Sequence, residues 1–473
     1  MSSRVPTAEY PTATLDRPAG PEGRRRPLRA ALVALAVGVA FADSSIVVLA
    51  LPDLLGAFGT SIESISWVIT AYNLAVALVA LGLIRAVRRL DPVRLTRVGL
   101  VVFALASLAC AAAGGLAVMV AARTVQGIGA ALLLAGSVPL LAALAGSRRR
   151  GAGLWGASAV VGAAVGPALG GALTQLFDWR SIFIAQVPLA LAAVAATVAV
   201  RVPSAAPAVV LPDPTRRARR ASGVALALLS AALVGALFLA VVLMIDGWGH
   251  PPLVAAGLVS LLPLGALAAQ PVARASAPRA AVAGGALLLA AGLVAMALLP
   301  EPSLALLGAA LALCGLGIGL SVPALTESSL RGPSDASSGT WSVGARHAGL
   351  VVGLVLLAPL LAGDLAHVSD RAELAGAAAL IDAPLSIEQK VEVGRALDRA
   401  IATAPAGEIP DLSSAVAAGG DPADPARVAL RDDLEALIAA TITRGFRGAF
   451  GLCAVLAALA LLPLAALRRS ELG

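Results

Sequence analysis

Residues 223–245 read GVALALLSAALVGALFLAVVLMI, an unbroken stretch without a charged side chain. A helix of that length crosses the ~30 Å hydrocarbon core of a bilayer at ~1.5 Å per residue. Comparable runs occupy 29–51, 66–84, 95–115, 117–144, 152–176, 181–200, 253–270, 282–299, 303–325, 337–362 and 445–467. In lipid every backbone polar group must be satisfied internally, so each run is expected to be a helix. Composition agrees, with 59% of the 473 residues hydrophobic and 13% charged. A soluble chain of this length needs more polar surface. The short alternating segments of a membrane β-barrel are absent. The expected fold class is an all-α polytopic membrane protein with twelve transmembrane helices.

The formal net charge is +7. Its placement argues for topology rather than for nucleic acid. Basic clusters stand at Arg24–Arg26, at Arg85, Arg88, Arg89, Arg94 and Arg97, at Arg148–Arg150, at Arg216–Arg220, at Arg274 and Arg279, and at Arg468–Arg469. The intervening connections LPDLLGAFGTSIES, AAAGG, DGWGHPP and LPEPS hold no Arg or Lys. Every second loop is thus basic, which predicts a multi-pass plasma-membrane protein with both termini cytoplasmic. Residues 1–28 are expected to be a disordered basic tail and 468–473 a second short one. The Pro-rich basic linker 201–222 divides the spans into halves, 29–200 and 223–467, a 6+6 pseudo-repeat. The five tryptophans lie near span ends, as an interfacial belt would place them. Cys110, Cys314 and Cys453 lie inside apolar runs and read as small buried hydrophobes.

Residues 363–444 break the pattern. Between Asp364 and Glu435 there are 14 acidic and 6 basic residues, including Lys390, the only lysine. They form an expected extracytoplasmic helical insert. Ser386 and Gln389 make a capping box. Ile387, Val391, Leu397 and Ile401 follow at helical spacing, and a second helix is expected from Asp424-Pro425.

The stretch GAAVGPALGG, 162–171, places Gly162, Gly166, Pro167, Gly170 and Gly171 inside a span. In a soluble helix each Gly costs ~1 kcal/mol and Pro ~3 kcal/mol relative to Ala. In lipid, small residues let helices approach closely. Glycines at 162, 166 and 170 make a flat ridge, and Pro167 is expected to bend the span.

Several patterns together resemble the drug:proton antiporter branch of the major facilitator superfamily. The first span, ADSSIVVLALPDL, is similar to that branch's Asp-x-Thr-Ile-Val-Asn-Val-Ala-Leu-Pro pattern, with Val48 replacing Asn. WVITAY at 67–72, ARTVQGIGAA from Ala122, the glycine stretch, DWRSIF at 178–183 and GARHAG in the eleventh span continue the likeness. His347 stands where the branch has Gln. The resemblance implies proton-coupled export of a small organic compound, with Gly82, Arg88 and Arg89 as remnants of the gating turn after the second span. In that turn Ala86 replaces the family's Asp, so either another acid such as Asp91 or Glu327 serves the arginines or the gating differs from the family's.

A charge at bilayer depth costs ~2.5–3.5 kcal/mol or more, so each one is a functional candidate. Asp43 and Arg123 fall at one depth and are expected to pair, as a proton-exchanging carboxylate beside a cation or as a static ion pair. His347 is a further proton or substrate contact. Tyr72, Asn73, Gln126, Gln186, Arg346 and Asp246 are candidates for lining the substrate cavity, Asp246 near the outer mouth. No phosphate-binding glycine loop and no metal-spaced His/Cys cluster is present, so neither ATP, a cofactor, a metal nor enzymatic catalysis is expected. The expected partners are the lipid bilayer, protons and a small-molecule substrate, with no nucleic acid, and the chain is expected to act as a monomer. The function expected is secondary active transport. A metabolite or nutrient carrier of the same fold, or a non-transporting sensor using the insert, is the alternative.

Overall fold

A computed structural model describes residues 21–198, 200, 202, 216–330, 335–403, 412–418, 420–421 and 424–465. Among them there is no strand. The first half contains α1 (Pro21–Val48), α2 (Ile62–Leu83), α3 (Pro92–Ala111), α4 (Leu116–Leu144), α5 (Arg148–Leu176) and α6 (Arg180–Thr197). The second contains α7 (Arg216–Val242), the broken span α8 (Pro252–Ala275), α9 (Pro278–Ala297), α10 (Leu304–Leu330) and α11 (Asp335–Asp382). Two insert helices follow, α12 (Ile387–Thr403) and α13 (Pro425–Gly445), and then α14 (Arg447–Leu459). Eleven stretches, with α13 and α14 joined as Pro425–Ala465, are long and apolar enough to cross a membrane, and α5 makes twelve when its two stretches count as one.

Local chemistry sets the ends. The Ser61 hydroxyl accepts from the Ser64 amide and starts α2. Asp91 accepts from Val93 N and Arg94 N and starts α3. Ser147 does the same for α5 through Arg150 N. Each supplies an acceptor to an N–H that has no partner in the helix. Gly59 ends the short helix Leu51–Phe58 at φ 56°, a left-handed conformation that glycine adopts without a Cβ clash.

The two halves repeat one packing scheme. In the first, α3 lies on α4, α1 on α5, α2 on α4 and α3 on α6. In the second, α9 lies on α10, α7 on α11, α8 on α10 and α9 on α14. The halves meet through α2 with α11 and α5 with α8, which are also exchanged by the repeat. Leu78, Leu105, Leu191 and Leu287 are exposed, giving the bundle the apolar coat that lipid requires.

Four expectations are corrected. First, α1 begins at Pro21, so 21–28 are helical rather than tail, and α7 begins at Arg216 inside the expected linker. Residues 1–20, 203–215 and 468–473 lie outside the described ones.

Second, the eleventh span is expected to end at 362, before the insert 363–444, but the helix does not stop there. The eleventh span continues to Asp382, 48 residues or roughly 70 Å of helix, far more than a bilayer core. Its polar end then supports α12 and α13.

Third, the capping box forms, with Ser386 N donating to Gln389 Oε1 at 2.9 Å and Gln389 N to Ser386 Oγ at 3.3 Å. Yet Ile387 and Val391 are exposed. The small insert core is built on Val393, Val416, Leu430 and Leu434, with Leu397 packed against it.

Fourth, the tryptophans do not form a belt. Trp67 is exposed, but Trp155 and Trp179 are buried. Trp155 donates to Ser137 Oγ at 3.1 Å, Trp248 to Thr443 Oγ1 at 2.9 Å and Trp341 to the Arg219 carbonyl at 3.2 Å. The indole N–H groups of Trp155, Trp248 and Trp341 thus find partners inside the protein, which outweighs an interfacial position for these three.

Candidate functional site

The glycine stretch of α5 seats α1. A Cβ at Gly162 would collide with the Gly38 carbonyl, one at Gly166 with Ser45 Oγ, and one at Gly170 with the Ile46 carbonyl. Gly171 faces the other half, against Ala256 and Pro252 of α8. Beside it Gln175 Oε1 accepts from Leu253 N at 2.9 Å, a second tie between the halves. The stretches Arg150–Gly162 and Val165–Leu176 are bent by 42° to one another. Pro167 explains the position, because it lacks the N–H that would bond the carbonyl four residues earlier and crowds it.

With α1 fixed in this way, Asp43 points into the first half at 0% exposure. Arg123 of α4, also at 0%, donates through Nη1 to Asp43 Oδ2 at 2.5 Å and to Gln126 Oε1 at 2.6 Å. Its Nε donates to the Val68 carbonyl of α2 at 2.9 Å. Gln186 of α6 donates to Asp43 Oδ1 at 2.8 Å. Gln126 Nε2 donates to Gln186 Oε1 at 2.8 Å and to Ser107 Oγ of α3 at 2.9 Å. Side chains from α1, α3, α4 and α6 thus form one network around a single carboxylate. A buried charge is tolerated on these terms, paired and with its remaining lone pairs satisfied.

The Tyr72 ring lies under the guanidinium, with Arg123 Cζ 4.3 Å from its centroid. Tyr72 Oη donates to the Ala40 carbonyl at 2.8 Å, which fixes the ring. Asn73 is fully buried, and its Oδ1 accepts from the Ser44 hydroxyl at 3.0 Å. The same Oδ1 lies 2.7 Å from His347 Nδ1, so a hydrogen bond joins α2 to α11 across the halves. The His347 ring also meets Phe41, near parallel at 6.3 Å between centroids, and Tyr72, edge-on at 6.3 Å. Arg346 is half-buried with Cζ 4.8 Å from the Phe41 centroid.

The structure therefore gathers Asp43, Arg123, Gln126, Gln186, Tyr72, Asn73, Arg346 and His347 into one region. Asp246 stands apart in the chain, half-buried in the π-helical turn Leu243–Gly247 that ends the seventh span. The gating-turn candidates lie at the end of α2 and in the turn after it. Gly82 is exposed, and a Cβ there would meet nothing within 4 Å, so it is not a packing glycine. Arg88 and Arg89 belong to the short turn Val87–Arg89. Asp91 caps α3 and forms an exposed pair with Arg94 at 3.7 Å rather than serving those arginines. Ser44, Ser107 and Phe41 were not legible as site residues. Two are single hydroxyls in apolar runs and the third is one more apolar residue, so only neighbouring helices reveal them.

Outside the spans, the Asp53 carboxyl is held above the usual carboxylate range, first by burial and then by the negative charge of Asp178. The two loops carrying them also touch through Phe58 and Trp179, 5.7 Å between ring centroids.

Comparison with known proteins fits this geometry. Solved structures of a bacterial homologue of the human lysosomal transporter Spinster are similar in fold. One, inward-facing and unoccupied, has a TM-score of 0.62 at 16% identity and is covered over 99% of its chain, with 95% of this chain. The other, inward-facing and occupied, gives 0.64 at 15% identity, over 97% and 95% of the two chains. Among curated relatives, the methylenomycin A resistance protein of Bacillus subtilis is 37% identical over 34% of this chain and 36% of its own length. The multidrug resistance protein Stp of Mycobacterium tuberculosis is 34% identical over 33% and 30%. The riboflavin transporter RibZ of Clostridioides difficile is 30% identical over 34% and 37%. Each match spans only about a third of the relative's length. A family model described as Major Facilitator Superfamily matches residues 33–363. With the fold, the repeat and this match in agreement, the chain belongs to the Major Facilitator Superfamily of membrane transporters.

Proposed function

We propose that this protein exports a small organic compound or drug across the plasma membrane in exchange for protons, by alternating access, with the arginine-rich loops and both termini on the cytoplasmic side. The observation that carries this reading is Asp43, a fully buried carboxylate bonded by both Arg123 and Gln186 beside the junction of the two halves. A proton arriving on Asp43 removes the charge that holds Arg123. Arg123 keeps its bonds to the Val68 carbonyl and Gln126 but loses its counter-charge. A cationic group of the substrate competes for the same carboxylate, so proton and substrate occupy it alternately. Ser45 and Ile46, within one turn of Asp43, pack on Gly166 and Gly170, and Gly171 packs on α8. That chain of contacts gives a change at Asp43 a mechanical route to the interface between the halves. The names of two relatives, a methylenomycin A resistance protein and a multidrug resistance protein, support export of a drug-like cargo. The riboflavin transporter favours a second reading in which the cargo is a metabolite.

The test is flux in proteoliposomes holding the full chain and a pH-sensitive dye. Methylenomycin A, ethidium and riboflavin are offered in turn. Substrate-dependent proton movement opposite to the cargo supports exchange. Transport of any of them without proton movement sinks the coupling, and riboflavin alone moving selects the metabolite reading. For orientation, single cysteines at Ser147 and Ser414 should be labelled only from the cytoplasm and only from outside. The native thiols are buried, so background is low.

A further inference from the structure

The hydrogen bonding of His347 can be assigned atom by atom. Asn73 Nδ2 donates to the Ile69 carbonyl at 2.9 Å. That orients the amide, and its Oδ1 receives the Ser44 hydroxyl at 3.0 Å and faces His347 Nδ1 at 2.7 Å. An amide oxygen only accepts, so Nδ1 carries the hydrogen. In the neutral ring Nε2 is then a bare acceptor. His347 is 1% exposed, and no group among the described residues hydrogen-bonds its Nε2. A second proton there would place a donor without an acceptor, and a positive charge, next in sequence to Arg346 and against the rings of Phe41 and Tyr72. This geometry does not suit a proton carrier.

The position is equally informative. His347 comes from the second half, whereas Asn73, Phe41 and Tyr72 come from the first. A transporter of this plan binds cargo where its two halves meet. Leaving a buried acceptor unmet costs about 1–3 kcal/mol. We infer that His347 Nε2 is the hydrogen-bond acceptor for the cargo, taking an N–H or O–H from one of its neutral polar groups. This rests on the reading that the protein is a transporter, and it moves His347 from proton coupling to substrate selection.

The probes are neutral aromatic primary amides and their N,N-dimethyl counterparts, equal in charge and ring but with and without an N–H. Wild-type protein should prefer the N–H member by about tenfold in uptake, the worth of one hydrogen bond. His347→Asn keeps a donor for Asn73 but offers nothing at the Nε2 position, so the preference should fall to about one. His347→Gln places an amide oxygen near that position and should keep part of the preference. Independently, the full chain with nitrogen-15 histidine in lipid nanodiscs reports the ring directly, and only His250 and His367 share the label. The resonance absent from His347→Asn should show hydrogen on Nδ1, and its Nε2 signal should shift with a primary amide and not with its dimethyl partner. Hydrogen on Nε2, an equal response to both probes, or no response at all overturns the inference; in the last case the nitrogen answers only to water. A wild-type chain that moves neither these compounds nor those of the exchange assay fails as a transporter. A wild-type chain that moves cargo while His347 stays silent loses only this inference.

Discussion

Arg123 and Arg427 are the two fully buried arginines among the described residues, at 0% and 1% exposure, and they are held in different ways. Arg123 sits in the membrane bundle against a carboxylate, an amide oxygen and one carbonyl. Arg427 sits in the insert and donates through Nη1 to the Val416 and Ala418 carbonyls at 2.6 and 2.8 Å. Gly420 lacks the side chain that would collide with its guanidinium. Backbone carbonyls cannot take up a proton, so Arg427 can only fasten the helix Leu412–Ala417 to α13. A carboxylate can, so the bond at Arg123 can be switched. Both arginines are buried; of the two, only Arg123 bonds an acceptor that can take up a proton.

The sharpest way to break this contrast is Asp43→Asn. It leaves Arg123 buried without its counter-charge, which costs about 3–5 kcal/mol when one partner of a buried pair is removed. Proton-driven uptake should vanish and thermal stability should drop. Adding Arg123→Gln should restore much of the stability and none of the uptake. Arg123→Lys should impair coupling less than Arg123→Ala because a charge remains. Uphill uptake by Asp43→Asn with unchanged proton stoichiometry would make the pair as structural as Arg427.

Next in size is Gly166→Val, which forces a side chain onto Ser45 and costs about 1–3 kcal/mol of overpacking. The protein should insert and fail to transport. Gly82→Val, at an exposed site with no neighbour, should stay within about 0.5 kcal/mol of wild type. Equal behaviour of the two would refute the ridge.

Arg427→Met should loosen the insert alone, by about 1–3 kcal/mol of lost buried hydrogen bonding. Hydrogen exchange in Leu412–Ala417 should quicken while uptake holds within about twofold. Collapse of uptake would place the insert in the transport cycle and merge the two arginines into one class.

The smallest effect belongs to Asp53, whose carboxyl is raised first by burial and then by Asp178. A raised carboxyl favours the folded state while protonated, and that contribution is lost as pH rises through its folded value. Asp53→Asn should therefore raise the melting temperature slightly at neutral pH and not at about pH 4, near the ordinary Asp value. A gain of the same size at both pH values would show that the Asp53 carboxyl is not raised in the folded protein.

The membrane spans and their repeat were legible in the sequence because hydrophobic length is a one-dimensional quantity. A run of about twenty apolar residues must span, whatever it packs against. The charges at Asp43 and Arg123 were legible for the same reason, since their cost depends on depth, which counts along the chain. The glycine ridge was legible as a spacing of four.

What only tertiary structure decided is who meets whom. Ser107 and Ser44 join the network because neighbouring helices put Gln126 and Asn73 within hydrogen-bond reach. Trp155, Trp248 and Trp341 turn inward, where each indole N–H meets an internal acceptor. At Gly82 a Cβ would meet no neighbour, a fact that no sequence spacing reveals. In the insert, Val393 displaced Ile387 and Val391 from the core, since with so few helices packed together the neighbours, not the apolar spacing, choose the buried face. The sequence sets which side chains are costly to leave unmet, and the packing of helices distant along the chain supplies the partner that meets each one.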